Sequence, residues 1–211
     1  GLGKLFPPEQ SRKNTMKIWQ SHTGIVERYN EPGKFTAFMG FEYTLMPNGD
    51  NLHRVVMFRD GKLRADQVRP FDPTSDSSTT PDQLWDYMDA YEKSTGGKML
   101  AIPHNSNVSN GLMFEMVAPG GGPMTADYAR RRAAREPLVE ITQIKGDSES
   151  HPFLSPNDEF ADFNRWDKSN LDGSVRKTQD MLEFEYARSA FKNGLKLEAQ
   201  LGVNPFKFGL V

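Results

Sequence analysis

Thr80-Pro81-Asp82-Gln83-Leu84-Trp85-Asp86-Tyr87-Met88-Asp89-Ala90-Tyr91-Glu92-Lys93-Ser94-Thr95-Gly96-Gly97-Lys98-Met99-Leu100-Ala101-Ile102-Pro103 reads as one helix followed by one buried strand. The Thr80 hydroxyl, a proline at the first helical position and the Gln83 amide three residues after the threonine make a capping-box start. Leu84, Trp85, Met88 and Tyr91 supply the apolar members of the helix, and Gly96-Gly97 supply the freedom at positive φ that suits a helix stop. The short apolar run Met99 to Pro103 then predicts a strand.

Working outward, the same rhythm repeats. Upstream, an amphipathic stretch from Asn14 to Tyr29 predicts a helix that ends at Glu31-Pro32-Gly33. The aromatic-rich run Phe35 to Leu45 predicts a strand, Pro47 to Asn51 a turn, and Leu52 to Arg59 the partner strand. Downstream, a loop runs from His104 to about Gly122, Thr125 caps a helix to Arg135, Leu138 to Ile144 predicts a strand, and a long helix is expected from Thr178 to Leu201, bounded by Gly202. Alternating strands and helices predict an α/β fold, a parallel-stranded barrel or layer that keeps functional groups at the carboxyl ends of its strands. At 211 residues one domain is the default.

Composition narrows the function classes. Hydrophobic residues are 36% of the chain, with 14 Phe and 3 Trp, which predicts a packed interior. A mean hydropathy of −0.66 predicts long surface loops. Lysine and arginine (26) nearly balance aspartate and glutamate (28), so the net charge of −2 offers no global attraction to nucleic acid or to an anionic membrane. No apolar run reaches the roughly 20 residues that span a bilayer, and a soluble protein is expected, in a bacterial cytoplasm or periplasm alike. Zero cysteines exclude thiolate metal sites, so any metal must be held by nitrogen and oxygen.

Four histidines, His22, His53, His104 and His151, can be weighed singly. His53 opens a strand eleven residues after Glu42, with a turn between, so a hairpin can bring a carboxylate and an imidazole to one centre; a plain hydrogen bond is the alternative. His104 ends the strand Met99 to Pro103 and precedes Asn105-Ser106-Asn107-Val108-Ser109-Asn110-Gly111, a run that suits either a cleft mouth or a hydrogen-bonded turn. Lys145-Gly146-Asp147-Ser148-Glu149-Ser150-His151 gathers a cation, two carboxylates and an imidazole after a strand, as a catalytic or a solvated loop. Gly120-Gly121-Gly122 lacks the lysine and hydroxyl of a phosphate-binding loop and reads as flexible. Arg130-Arg131-Arg132 with Arg135 reads as a solvated face with one arginine facing substrate, and His22 as exposed.

The strings Pro32 to Thr44, Asn51-Leu52-His53-Arg54, Ile102 to Gly111, Glu136 to Pro152 and Asn204 to Leu210 together resemble the family known as domain of unknown function 3604, over nearly the whole chain. That family is similar to the polymerase and histidinol phosphatase (PHP) superfamily. The resemblance implies a distorted (β/α)7 barrel and metal-dependent hydrolysis of phosphate esters. It places Glu42 of Gly40-Phe41-Glu42 as a bridging carboxylate and His53 and His104 as further metal ligands, for zinc, manganese or iron. Lys145, Glu149 and His151 are then expected to serve catalysis, and Asn105, Asn107 and Asn110 to bind substrate. The superfamily's opening His-x-His and closing Asp-x-His motifs are absent from this sequence. The chain is therefore expected to be an internal piece with a partial, impaired barrel. The expected substrate is a small phosphorylated or other polar molecule. The alternative expectation is a non-catalytic module that grips a sugar or nucleotide.

Overall fold

The computed structural model describes residues 8–211. The protein is mixed α/β. In order come α1 (Pro8–Tyr29), β1 (Gly40–Tyr43), β2 (Arg54–Phe58), α2 (Lys62–Ala65), α3 (Pro81–Thr95), β3 (Met99–Pro103), α4 (Ala126–Arg135), β4 (Leu138–Val139), β5 (Thr142–Gln143), β6 (Gly146–Asp147), α5 (Ala187–Leu201) and β7 (Gly209–Leu210). Short 3₁₀ turns occupy Pro47–Gly49, Ser106–Val108 and Gln179–Phe184. The strands form a three-stranded sheet in the order β1-β2-β3, a parallel pair β4-β7 and an antiparallel pair β5-β6. Among the described residues none of these sheets closes into a barrel, and no helix is long and apolar enough to cross a membrane.

The chain divides into two compact units, one holding residues up to Tyr43 together with Val55–Leu100, the other Thr44–Arg54 with Ala101–Val211. In the first, α3 begins and ends as its sequence requires. Thr80 and Gln83 form the reciprocal capping box, and Gly96 is left-handed at φ 68°. Its buried face, Leu84, Trp85, Met88 and Tyr91, packs through Tyr91 edge-on against Phe58 at 5.2 Å. Trp19 of α1 joins the same core and donates its indole N–H to the Ala65 carbonyl at 3.0 Å. The strand expected from Phe35 shrinks to Gly40–Tyr43. Residues 31–35 instead form a tight turn at Gly33 (φ 85°), which leaves Phe35 and Phe38 exposed.

The second unit has a core of Met113, Phe114, Val139, Leu182, Tyr186, Leu197 and Phe206. Thr125 caps α4 by accepting the Tyr128 N–H. The guanidinium of Arg132, expected on a solvated face, is instead buried. It donates to the Met113 carbonyl, pairs with Glu136 at 3.4 Å and lies 4.8 Å over the Phe206 ring.

Two expected elements are broken. The strand from Leu138 divides into β4 and β5 because β5 turns back through Ile144-Lys145 onto β6, while β4 pairs with β7. The helix from Thr178 is interrupted at Glu185-Tyr186. The Phe184 carbonyl accepts from Phe114 N–H, and the N–H groups of Ala187 and Arg188 donate to Ser148 and Glu149, so these bonds leave the helix ladder. The segment after Asn204 buries Phe206, but β7 itself is exposed.

Gly40 opens β1 where a Cβ would stand 2.7 Å from the Val56 carbonyl oxygen, which is backbone and cannot turn aside. Gly40→Ala should lower stability by about 1–3 kcal/mol, the usual cost of overpacking, seen as a lower urea midpoint with an unchanged m-value. A variant as stable as the parent would contradict this close approach.

Candidate metal centre

β3 carries its chain to Pro103 and delivers His104 at its carboxyl end, as its sequence suggests. The Asn51 carboxamide, fully buried, donates to the carbonyls of His104 (2.7 Å) and Asn105 (3.0 Å), and the Asn51 N–H donates to Val108. The His104 N–H reaches the His53 carbonyl at 3.4 Å. These bonds set the two imidazoles edge to face, with ring centroids 5.9 Å apart and both side chains buried. Glu42 is exposed on β1. It, His53 and His104 each offer one ligand atom, and those atoms all lie within 4.8 Å of one another.

Two imidazole nitrogens and a carboxylate oxygen suit a borderline divalent cation such as zinc, manganese or iron. Ligand atoms sit about 2.0–2.2 Å from a zinc ion, so two on one ion are at most about 4.4 Å apart, and the observed spread closes with a small side-chain adjustment. A set of three protein ligands leaves positions for water or substrate, the pattern of catalytic rather than structural sites.

The other candidate residues fall into two groups. Glu149 accepts two N–H groups of Arg188 on its single oxygen Oε1, at 2.6 and 3.0 Å, and Arg188 also reaches Asp158 at 2.5 Å. His151 is buried and both its ring nitrogens are engaged. Phe153 N–H donates to Nδ1 at 3.1 Å, and a backbone N–H can only donate, so the proton sits on Nε2 and is donated to Asp167 at 3.0 Å. Lys145 contributes its carbonyl to the Asn107 amide. Asp147, pushed up from the ordinary carboxylate range by burial, accepts the N–H groups of Glu149 and Ser150.

Asn107 is fully occupied within the protein. Its amide donates to Lys145 and Trp166 carbonyls, and its oxygen accepts the Ser148 hydroxyl at 2.8 Å. Asn110 accepts from Lys177 at 3.1 Å and donates to Val175. Asn105 differs: it is buried in a left-handed conformation (φ 51°, ψ 45°), and neither its Oδ1 nor its Nδ2 has a hydrogen-bond partner.

Sequence reasoning missed the partners that fix these groups. Asp167 is one. Burial pushes its carboxyl up, but the hydrogen bond from His151 and the charge of Arg165 outweigh that and hold it below the ordinary value. Arg54 is another, buried on β2 and paired with Glu136 at 3.0 Å. A third is Lys177, buried in a pair with Glu185, whose carboxyl is pushed up to about 7 by burial against the pull of the lysine. No spacing rule joins residues so distant in the chain.

Because Asp167 titrates below its unfolded value, its stabilising contribution is present above about pH 4 and is lost as pH falls through the folded pKa. Asp167→Asn should therefore cost about 1–3 kcal/mol at neutral pH, the range for a charge-assisted hydrogen bond, and the difference from the parent should shrink toward pH 2. A constant difference across that range in denaturant titrations would contradict the assignment.

No curated protein and no solved structure matches the chain. The family described as "Protein of unknown function (DUF3604)" matches residues 5–211, and the chain belongs to it.

Proposed function

We propose that this protein is a metal-dependent hydrolase of phosphate esters, with Glu42, His53 and His104 as the cation-holding residues. The single observation that carries the reading is the approach of these three ligand atoms to within 4.8 Å, from three separate strand ends and of the types that bind borderline divalent cations. The resemblance of the strings around them to the PHP superfamily supports the same reaction class, and a PHP-type barrel as the wider scaffold belongs to this proposal.

Divalent cations bound there would supply Lewis acidity and a lowered pKa for attacking water. The residues of the chain do the rest. Glu42, solvent-exposed, offers a carboxylate oxygen to the ion. His53 and His104 are held in place by the hydrogen bonds of their own backbones and by Asn51, so they enter the site already oriented. Such preorganisation is what positions reacting groups without a fresh entropic cost. A small phosphorylated substrate fits this centre, and the composition gives no reason to expect nucleic acid.

The test is elemental analysis combined with hydrolysis assays. The purified protein, incubated with zinc, manganese or ferrous iron and desalted, should retain metal and cleave a generic phosphomonoester or phosphodiester. Glu42→Ala and His104→Ala should each lose at least about tenfold in metal affinity, roughly 1.4 kcal/mol, together with activity. Retention of no metal would defeat the proposal. Metal bound tightly without turnover of either ester would favour the non-catalytic reading, a module for a polar ligand.

A further inference from the structure

Resting on the reading above, we propose that Asn105, Ser106 and Asn51 form a neutral pocket beside the candidate metal centre that recognises a hydroxyl group, so that the substrate is an ester of a polyol or sugar.

The observation is a concentration of buried polar atoms without partners next to the two histidines. Asn105 Oδ1 and Nδ2, Ser106 Oγ and Asn51 Oδ1 are all sealed from solvent and have no hydrogen-bond partner. Asn51 stands two residues before His53, and Asn105 and Ser106 stand one and two residues after His104. The two segments are tied to one another by the Asn51 amide, which bonds the carbonyls of His104 and Asn105. Asn105 and Ser106 are 2% and 0% exposed, and Asn51 0%. Leaving a buried amide or hydroxyl unsatisfied opposes folding by about 1–3 kcal/mol for each group. Asn105 adds the strain of a left-handed conformation, which non-glycine residues adopt chiefly where surrounding structure or function demands it. In the neighbouring Asn107 and Asn110 both the amide oxygen and the amide nitrogen have partners, so the lack of partners is specific to this end of the loop.

The chemistry of these atoms selects the ligand. Two carboxamide oxygens accept, one carboxamide nitrogen donates, and the serine hydroxyl does either. A phosphoryl or carboxylate group only accepts, and would meet two oxygens that repel it. Cations that touch or adjoin these segments are already neutralised: Lys177 by Glu185, and Arg54 by Glu136. A hydroxyl both donates and accepts, and it is small enough for a sealed position. Its partner specificity is also sharp, because an analogue that lacks the hydroxyl leaves the amide unpaired.

The test compares glycerol 1-phosphate with propyl phosphate, a matched pair that differs in its hydroxyls, on the metal-loaded parent and on Asn105→Gly, which keeps the left-handed backbone and removes the amide. Asn105→Asp, which replaces the donor with a carboxylate, is the second variant. Metal content is measured for each, and saturation-transfer difference NMR with methyl glucoside gives a reading independent of turnover. The parent should favour glycerol 1-phosphate at least tenfold in kcat/KM, Asn105→Gly should erase that preference while metal is still retained, and the methyl glucoside signal should fall in both variants. Equal cleavage of the two esters by the parent, or a preference that survives in Asn105→Gly, would overturn the hydroxyl pocket while leaving the hydrolase reading intact. If neither ester is cleaved, the hydrolase reading fails by itself, and the pocket stands or falls on whether Asn105→Gly abolishes the methyl glucoside signal.

Discussion

The Asn51 carboxamide holds two stretches of chain together: with no exposure to water, it donates one hydrogen bond to the His104 carbonyl and another to that of Asn105. Both acceptors belong to the loop that leaves β3, and the donor lies two residues before His53. The relative position of the two imidazoles therefore depends on the Asn51 side chain. A buried amide that satisfies two carbonyls at once is hard to replace, because its loss strands acceptors as well as removing a donor. Asn51 thus precedes the histidines in the physical order of the site.

Around this bond the second unit is arranged by polar groups as much as by apolar ones. The loop from His104 to Gly111 is buried throughout although it contains three asparagines and two serines. Such a segment is costly to bury unless most of its amides are answered, and Asn107 shows how. It bridges Lys145, Trp166 and Ser148, and so joins the loop after β3 to the β5–β6 hairpin and to the segment beyond it. Arg54 with Glu136 and Lys177 with Glu185 extend the same scheme to full charges. Buried pairs of this kind contribute little net stability, since the desolvation of both ions offsets their attraction, but breaking one leaves an uncompensated charge. Their role is to specify which loops meet.

This division of labour bears on how the loop Lys145 to His151 is understood. Its carboxylates and imidazole looked like loose chemistry after a strand, and the structure holds most of them in fixed partnerships: Glu149 with Arg188, His151 with Asp167, Asp147 with the backbone of its own turn. Glu42, His53 and His104 stand together, and Asn105 is the residue of the adjoining loop whose amide the protein leaves unanswered.

Much was legible in the amino-acid order. The cap, apolar face and glycine stop of α3, the strand that delivers His104, the Thr125 cap of α4 and the α/β alternation all follow from signals confined to a few neighbouring residues. The choice of Glu42, His53 and His104 rests instead on the resemblance of the strings that carry them, since their spacing alone leaves a plain hydrogen bond open. What only the tertiary structure decided were the interruptions and the pairings: the break at Glu185-Tyr186, the division of β4 from β5, the burial of Arg132, and the partners of Asn107, His151 and Arg54. The physical reason is range. A cap or an apolar stripe is satisfied within a turn or two, whereas the Arg54–Glu136 bond spans 82 residues and the Asn170–Asn48 bond 122, and no local pattern records which distant group a buried polar atom will find.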